Sequence, residues 1–194
     1  MAVAELSKPR MSGTTEEITD EYLMRLPNNP GSKWELVEGK LQEVPTSGKH
    51  DRIVIYLGYI LFPYADPYGM LTASQAGYRM ASGNLRVPDF AFTRYDRFPN
   101  SKVPDGFIEF APDLAVEIIS PSEEPGDRTR KVSEYFESGA CQVWHMFPET
   151  QTVTVFRSPS DSVTYQPEDE LDLSDLLPGF RSRVSDLFGK PKNS

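Results

Sequence analysis

The sequence predicts an α/β (α+β) protein in which helices flank a mixed central sheet. Three observations support this prediction: an N-terminal hairpin pattern, two segments with helical periodicity, and the segment APDLAVEIIS, which is apolar on both faces of a strand. The elements follow in the order helix, strands, helix, strand, as expected when a sheet is packed between helices.

The N-terminal half predicts a hairpin followed by a long helix. A short helix around Asp20–Leu26 precedes WELVEGKLQEV, which alternates like two strands joined by a turn at Glu38-Gly39 or Gly39-Lys40. The segment SGKHDRIVIYLGYILFPYA predicts a helix with Ser47 as its N-cap. Its apolar residues recur at helical spacing: Ile53, Leu57, Ile60 and Leu61.

The C-terminal half predicts further strands around a second helix. LTASQAGYRM and NLRVPDFAFT each predict one strand, and the Pro-rich YDRFPNSKVPDGFIEFA predicts a connector to the APDLAVEIIS strand. The second helix begins near Asp127 or a few residues earlier and ends at Gly139. CQVWHMF and TVTVFR predict strands, and LSDLLPGFRSRVSDLF predicts a closing strand and a short helix.

Length and composition predict one soluble domain. With 194 residues, 38% of them hydrophobic, the chain suits a single domain over 20–188, a flexible N-terminus over 1–19 and a flexible tail over 189–194. The longest apolar-rich segment, IVIYLGYILFPYA, is too short and too mixed to span a bilayer. A single cysteine, Cys141, cannot form an internal disulfide, which favours a cytoplasmic location.

The net charge of −9 argues against a protein that binds nucleic acid tightly over a broad surface. It does not exclude a nuclease with a local basic strip, because a metal ion can screen the phosphate. Basic residues do cluster at Arg128, Arg130 and Lys131. Phosphate-binding loops of the GxGxxG type and GxSxG nucleophile motifs are absent from the sequence.

Glu117 is the most unusual residue of the predicted buried strand. An isolated polar group there would cost about 2–7 kcal/mol, and a charge more, unless it is protonated, paired or metal-bound. Asp113 shares its face but stands four residues away, about 13 Å along the strand. Asp89 of RVPDFAF is the better partner, because acids on adjacent strands about 4.8 Å apart can share a divalent ion.

Both acids also have structural interpretations. Glu117 could form a buried salt bridge with a lysine or arginine, and Asp89 could cap a turn. On the second helix, Lys131 shares a face with Arg128 and Tyr135 and could orient a water nucleophile or stabilise phosphate charge. The alternative for Lys131 is a solvated helix surface.

Five segments together resemble the PD-(D/E)XK nuclease superfamily, and more specifically its Uma-type family of restriction endonucleases. They are VPDF, APDLAVEIIS, RKVSEYFESGACQVWHMF, WELVEGKLQEV and LLPGFRSRVSDLF. The resemblance spans roughly residues 20–188 in matching order. It implies a restriction-endonuclease-like core and divalent-metal-dependent hydrolysis of DNA phosphodiester bonds.

The resemblance also implies the catalytic residues. Asp89 matches the acid of the PD motif and Glu117 the acid of the (D/E)XK motif, so both would ligate Mg²⁺, for which Mn²⁺ can substitute. The sequence departs from the motif two residues after Glu117, where Ile119 stands in place of the lysine. Lys131 on the following helix is the substitute that the resemblance suggests.

Further residues are predicted to support the site. Glu38 and His50 are possible members of it, although capping of the helix is the ordinary role for His50. Tyr135 is a supporting residue on the face of Lys131, and Arg128 and Arg130 are predicted to contact DNA.

The resulting hypothesis is a Mg²⁺-dependent DNA endonuclease that acts as a homodimer, because two active sites related by a two-fold axis suit cleavage of both strands. A second hypothesis is a catalytically inactive nuclease-fold protein that serves as a binding or assembly module. The net negative charge and the absence of a lysine at position 119 favour the second hypothesis, whereas the Asp89–Glu117 pair favours the first. A metal-dependent hydrolase with a substrate other than DNA is a third.

Overall fold

The computed structural model describes residues 18–26, 31–121 and 123–189. Its helices are α1 (Asp20–Met24), α2 (Gly48–Ala65) and α3 (Pro125–Glu137). Its strands are β1 (Ser32–Val37), β2 (Lys40–Pro45), β3 (Gly69–Ala73), β4 (Tyr78–Arg79), β5 (Leu85–Arg86), β6 (Phe90–Arg94), β7 (Leu114–Ile118), β8 (Gln142–Phe147), β9 (Thr152–Ser158), β10 (Asp161–Tyr165), β11 (Glu170–Asp172) and β12 (Arg181–Arg183). Short 3₁₀ turns lie at Tyr95–Arg97, Pro99–Ser101 and Val184–Phe188.

Most of the two predicted flexible ends, namely residues 1–17 and 190–194, lies outside the described residues. Within the described part of the chain, no helix is long and apolar enough to cross a membrane.

The central sheet has six strands in the order β10-β9-β8-β7-β6-β3. Strands β7 and β8 are parallel, while the other neighbours are antiparallel. The parallel pair needs a crossover, which α3 supplies between the two strands. The predicted mixed sheet with flanking helices is therefore confirmed.

Successive residues of β7 point to opposite faces of the sheet, as the two-residue period of a strand requires. Leu114, Val116 and Ile118 belong to the core cluster that α2 completes with Leu57 and Leu61. The other face of the sheet, which carries Glu117, packs against α3. The apolar residues of that second core are grouped around the fully buried ring of Tyr135: Ala91, Ala115, Val132 and Val143. Glu117 therefore faces α3 from the middle of the molecule.

A smaller sheet in the order β2-β1-β5-β4 carries the predicted hairpin. Its turn lies at Glu38 and Gly39, whose φ angles of 51° and 73° are both positive, as a two-residue type I′ turn requires. The predicted N-cap at Ser47 is confirmed, because its side chain accepts the His50 N–H at the start of α2.

Two segments that were each predicted as one strand form two strands each, so these predictions are wrong. LTASQAGYRM divides into β3 and β4, and NLRVPDFAFT divides into β5 and β6, with the two parts of each in different sheets. A tight turn after Ala73, closed by the Ala76 N–H, separates the first pair. Pro88, which has no N–H to donate to a ladder, separates the second pair. Strands β10 and β11 were not predicted.

Candidate active site

A cavity of about 380 Å³ lies between the small sheet, the C-terminal end of β7 and the first turns of α2 and α3. Six buried charged side chains line it: Lys33, Glu35, Arg86, Asp89, Glu117 and Lys131. Charged groups rarely gather inside a protein without a function or a strict pairing scheme. This cavity is the candidate active site.

The structure brings Asp89 and Glu117 together at the junction of two strands. Phe90 pairs with Val116 in the antiparallel β6–β7 ladder, so Asp89, one residue before Phe90, lies across from Glu117. The Ile118 N–H donates to Asp89 Oδ2 at 2.7 Å and fixes the carboxylate beside β7. Asp89, one residue after Pro88, thus lines the cavity as a buried side chain.

Glu117 is held from α3. The Tyr135 hydroxyl donates to Glu117 Oε1 at 2.7 Å, and Lys131 Nζ lies 3.5 Å from Glu117 Oε2. Burial raises the pKa of Glu117 above its usual value, against the opposing effect of Lys131 and Lys33. The same burial, together with the charge of Glu117, raises the pKa of the Tyr135 hydroxyl well above its usual value. Tyr135 therefore acts as a neutral donor.

Lys131 lies between two acids rather than in solvent. It is only 7% exposed, and its Nζ is 3.5 Å from Glu117 Oε2 and 3.6 Å from Glu35 Oε1. Burial alone would lower its pKa, but Glu117 and Glu35 outweigh burial and raise it. The solvated-surface interpretation of Lys131 is therefore wrong, whereas the salt-bridge interpretation of Glu117 describes a real contact.

Two buried residues of β1 face this site and were not predicted. Lys33 Nζ donates to Asp89 Oδ1 at 2.8 Å, and Glu35 Oε1 accepts the Val87 N–H at 3.2 Å. Lys33 and Glu35 alternate with Trp34 and Leu36 and therefore share one face of the strand. Such an alternation ordinarily predicts a solvent-facing polar side, so nothing in the pattern indicated that these two residues are buried.

Arg86 anchors the acidic wall, which consists of the two buried acids Glu35 and Glu134. The side chain is 2% exposed; its Nη1 donates to Glu35 Oε2 at 2.9 Å and its Nε to Glu134 Oε2 at 2.6 Å. Asn84 Nδ2 donates to the other oxygen of Glu134 at 2.7 Å. Burial alone would raise the pKa of Glu35, yet Lys131 and neighbouring cations hold it below its usual value.

The remaining predicted residues occupy different positions. Glu38 is not brought to the cavity, because it occupies the hairpin turn with its side chain 71% exposed and pairs with Arg130 at 3.3 Å. His50 does line the cavity from the start of α2. Arg130 lines it too and also pairs with Asp127 at 2.7 Å, whereas Arg128 is half-buried on the same helix.

Over residues 18–26, 31–121 and 123–189, no group of three or more His, Cys, Asp or Glu side chains is arranged to hold a metal ion. The donor chemistry nevertheless fits magnesium, which is commonly bound by one or two carboxylates together with substrate phosphates and water. Asp89 and Glu117 offer two such carboxylates from adjacent strands. The Lys33 ammonium now occupies one oxygen of Asp89.

A mixed sheet between helices, with paired acids at the ends of two adjacent strands and a lysine on the packed helix, places the protein in the restriction-endonuclease-like class of folds. The family model Uma2, described as "Putative restriction endonuclease", matches residues 19–185, and the chain belongs to this family. The resemblance found in the sequence is thereby confirmed.

A solved structure has the same fold. It is the crystal structure of a putative nuclease belonging to DUF820 from Anabaena variabilis ATCC 29413, with a TM-score of 0.69 and 23% sequence identity. The similarity covers 88% of this chain and 97% of that chain. No curated protein matches the chain.

Proposed function

We propose that the protein is a divalent-metal-dependent endonuclease that hydrolyses phosphodiester bonds of DNA. The observation that carries the proposal is the meeting of Asp89, Glu117 and Lys131 in one cavity of a nuclease-family chain. Each comes from a different element, so local structure alone does not explain their convergence.

Asp89 and Glu117 are the residues that would hold Mg²⁺, with Mn²⁺ as a substitute. When bound, such an ion polarises the phosphoryl oxygen and lowers the pKa of a coordinated water. Tyr135 fixes one oxygen of Glu117 and leaves Oε2 directed towards Lys131. The orientation of this carboxylate is therefore set before any ligand arrives.

Lys131 takes the role that a lysine at position 119 would have. Ile119 is 5% exposed and apolar, so it contributes no charge to the cavity. The Lys131 ammonium, a compact donor of three N–H bonds, can orient the attacking water and stabilise charge that grows on the phosphate.

The DNA contact is proposed for the α3 side of the cavity. Arg130 lines the cavity, and Arg128 lies two residues earlier on the same helix. With a net charge of −9, a local basic strip rather than a broad surface has to bind the phosphates. A homodimer would supply two sites for the two strands, and the single cysteine suits the cytoplasm.

One observation favours the second candidate function, an inactive binding or assembly module. Both oxygens of Asp89 already have donors, Lys33 Nζ and the Ile118 N–H. A carboxylate with both oxygens already hydrogen-bonded has a structural role, and it can bind a metal ion only if Lys33 is displaced.

Plasmid nicking distinguishes the two functions. We expect the wild-type protein to convert supercoiled plasmid to open circles with Mg²⁺ or Mn²⁺ but not with a chelator. Glu117→Gln, which keeps the side-chain shape, should abolish nicking, and Lys131→Met should reduce it at least about a hundredfold.

Asp113→Asn is the matched control, because Asp113 is a fully buried acid on the same face of β7 that pairs with Arg94 and Arg97 instead. This variant should keep the activity. Equal nicking by Glu117→Gln and wild type would refute the proposed site, and plasmid retention in gels without any nicking would support the inactive module.

A further inference from the structure

Lys33 holds a position where the proposed metal ion would bind. Its side chain is 3% exposed, and its Nζ lies 2.8 Å from Asp89 Oδ1. Its ammonium group is therefore already bound to one of the two proposed metal ligands, in a buried ion pair.

The buried charges nearly balance without any metal. Four buried acids, Glu35, Asp89, Glu117 and Glu134, are linked by ion pairs to the three bases named above: Lys33, Lys131 and Arg86. Removing one partner of a buried pair leaves an uncompensated charge, which is strongly destabilising. Lys33 thus stabilises Asp89 whenever no other cation is present.

Lys33 also borders a second cavity. This cavity, of about 400 Å³, is lined by residues such as Trp34, Ser74 and Gln75. Lys33 lines both cavities. A lysine side chain has a long flexible stem, so the ammonium can leave Asp89 and enter this second space without a change of fold.

We propose that Lys33 is an internal cation that competes with the divalent metal ion for Asp89 and withdraws towards the second cavity when the ion binds. This inference rests on the proposed function. It gives the protein a metal site whose buried charges nearly balance without the ion, and which binds the ion only when the ion outcompetes a buried ion pair.

Metal affinity, measured by calorimetric titration of the full chain with Mn²⁺, tests the inference without recourse to activity. Lys33→Met should bind Mn²⁺ about tenfold or more tightly than wild type, which corresponds to at least about 1.4 kcal/mol. Its metal-free form should melt at a lower temperature than wild type, because Asp89 loses its partner. Lys33→Arg retains the charge and should not gain affinity.

Two controls separate this inference from the proposed function. Arg97→Met removes a cation from the remote Asp113 and should leave the affinity unchanged. Asp89→Asn should lose Mn²⁺ binding; if it binds like wild type, or if no protein binds Mn²⁺, the metal site itself is refuted. If wild type binds through Asp89 but Lys33→Met gains nothing, only the competition is refuted, and Lys33→Gln repeats this test should the methionine variant not fold.

A second inference concerns the outer face of α2. Ile55, Tyr59 and Phe62 are 73%, 75% and 56% exposed and follow one another at helical spacing, so they form one apolar stripe on the surface. Arg52 stands seven residues before Tyr59, and Asp66 stands seven residues after it. The stripe therefore has a basic end and an acidic end, arranged symmetrically about Tyr59.

The geometry points to a second copy of this chain as the occupant of the stripe. Two α2 helices packed antiparallel about a two-fold axis at Tyr59 would bring Arg52 of each copy to Asp66 of the other, as an isologous interface requires. Arg52 also donates to Phe188 O at 3.5 Å, and a guanidinium has five N–H donors. The interface would bury both apolar stripes.

Sedimentation equilibrium of the full chain tests this interface. We expect a dimer for wild type, a monomer for Tyr59→Glu and for Arg52→Asp, and a dimer again for the charge swap Arg52→Asp with Asp66→Arg. A monomeric wild type would overturn the inference, as would a dimer that Tyr59→Glu leaves intact. Neither result tests metal binding by Glu117, which faces α3 on the opposite face of the sheet from α2.

Discussion

Replacement of Arg86 by methionine is the sharpest test of how the acidic wall is held. Arg86 is 2% exposed and bonds to Glu35 at 2.9 Å and Glu134 at 2.6 Å. Without it Glu35 keeps Lys131 as a cation, whereas among the residues that the structure describes Glu134 keeps the side chain of Asn84, a neutral donor. Glu134 alone is therefore left as a buried charge without a cation, and we expect the free energy of unfolding to fall by about 3–5 kcal/mol.

Urea unfolding, followed by the fluorescence of the buried Trp144, measures this loss. The double variant Arg86→Met with Glu134→Gln removes the stranded charge and should recover about 1–3 kcal/mol. Arg183→Met is the exposed control: its ion pair with Glu168 lies in solvent and should contribute less than about 1 kcal/mol. A loss below about 1 kcal/mol for Arg86→Met would refute the reasoning, as would a double variant less stable than the single one.

Three further variants test other parts of the structure. Burial and two nearby cations lower the pKa of His145 to about 4, so the unfolded chain takes up the proton first as the pH falls below about 6.5. Between about pH 7.5 and pH 5 the wild type should therefore lose about 2 kcal/mol of unfolding free energy through His145, and His145→Phe should not show this part of the loss. Urea unfolding at the two pH values measures it, and an unchanged pH profile would contradict it. Tyr135→Phe deletes the 2.7 Å bond to Glu117 and should cost about 1.5–3 kcal/mol in the same assay. A Cβ at Gly69 would overlap the Thr93 carbonyl oxygen, so Gly69→Ala should lower the stability by about 1–3 kcal/mol, and a neutral effect would contradict the packing.

The sequence was sufficient for the elements whose patterns are local. The helix that begins after Ser47 and the strand around Glu117 have periodicities that one segment carries by itself. The proximity of Asp89 and Glu117 was also predicted, because a carboxylate in an apolar strand requires a partner and the neighbouring strand offers one.

What the sequence did not show depends on contacts between distant segments. Lys33 and Glu35 face the cavity only because the hairpin sheet packs over the end of β7, and no local pattern encodes that packing. Glu38, the acid chosen from the same hairpin, sits instead in a turn that demands a positive φ. The division of the Asp89 segment into two strands likewise follows from the sheet that each part joins.

The short segment from Arg86 to Asp89 passes from one sheet to the other within four residues. Arg86 ties it to the acidic wall, and Asp89 ties it to the end of β7. The segment therefore couples the positions of the two sheets. If the hairpin tilts away from the central sheet, Asp89 moves relative to Glu117. Substitutions far out on the hairpin, none of which touch the acids, can for this reason tune the alignment of the two carboxylates.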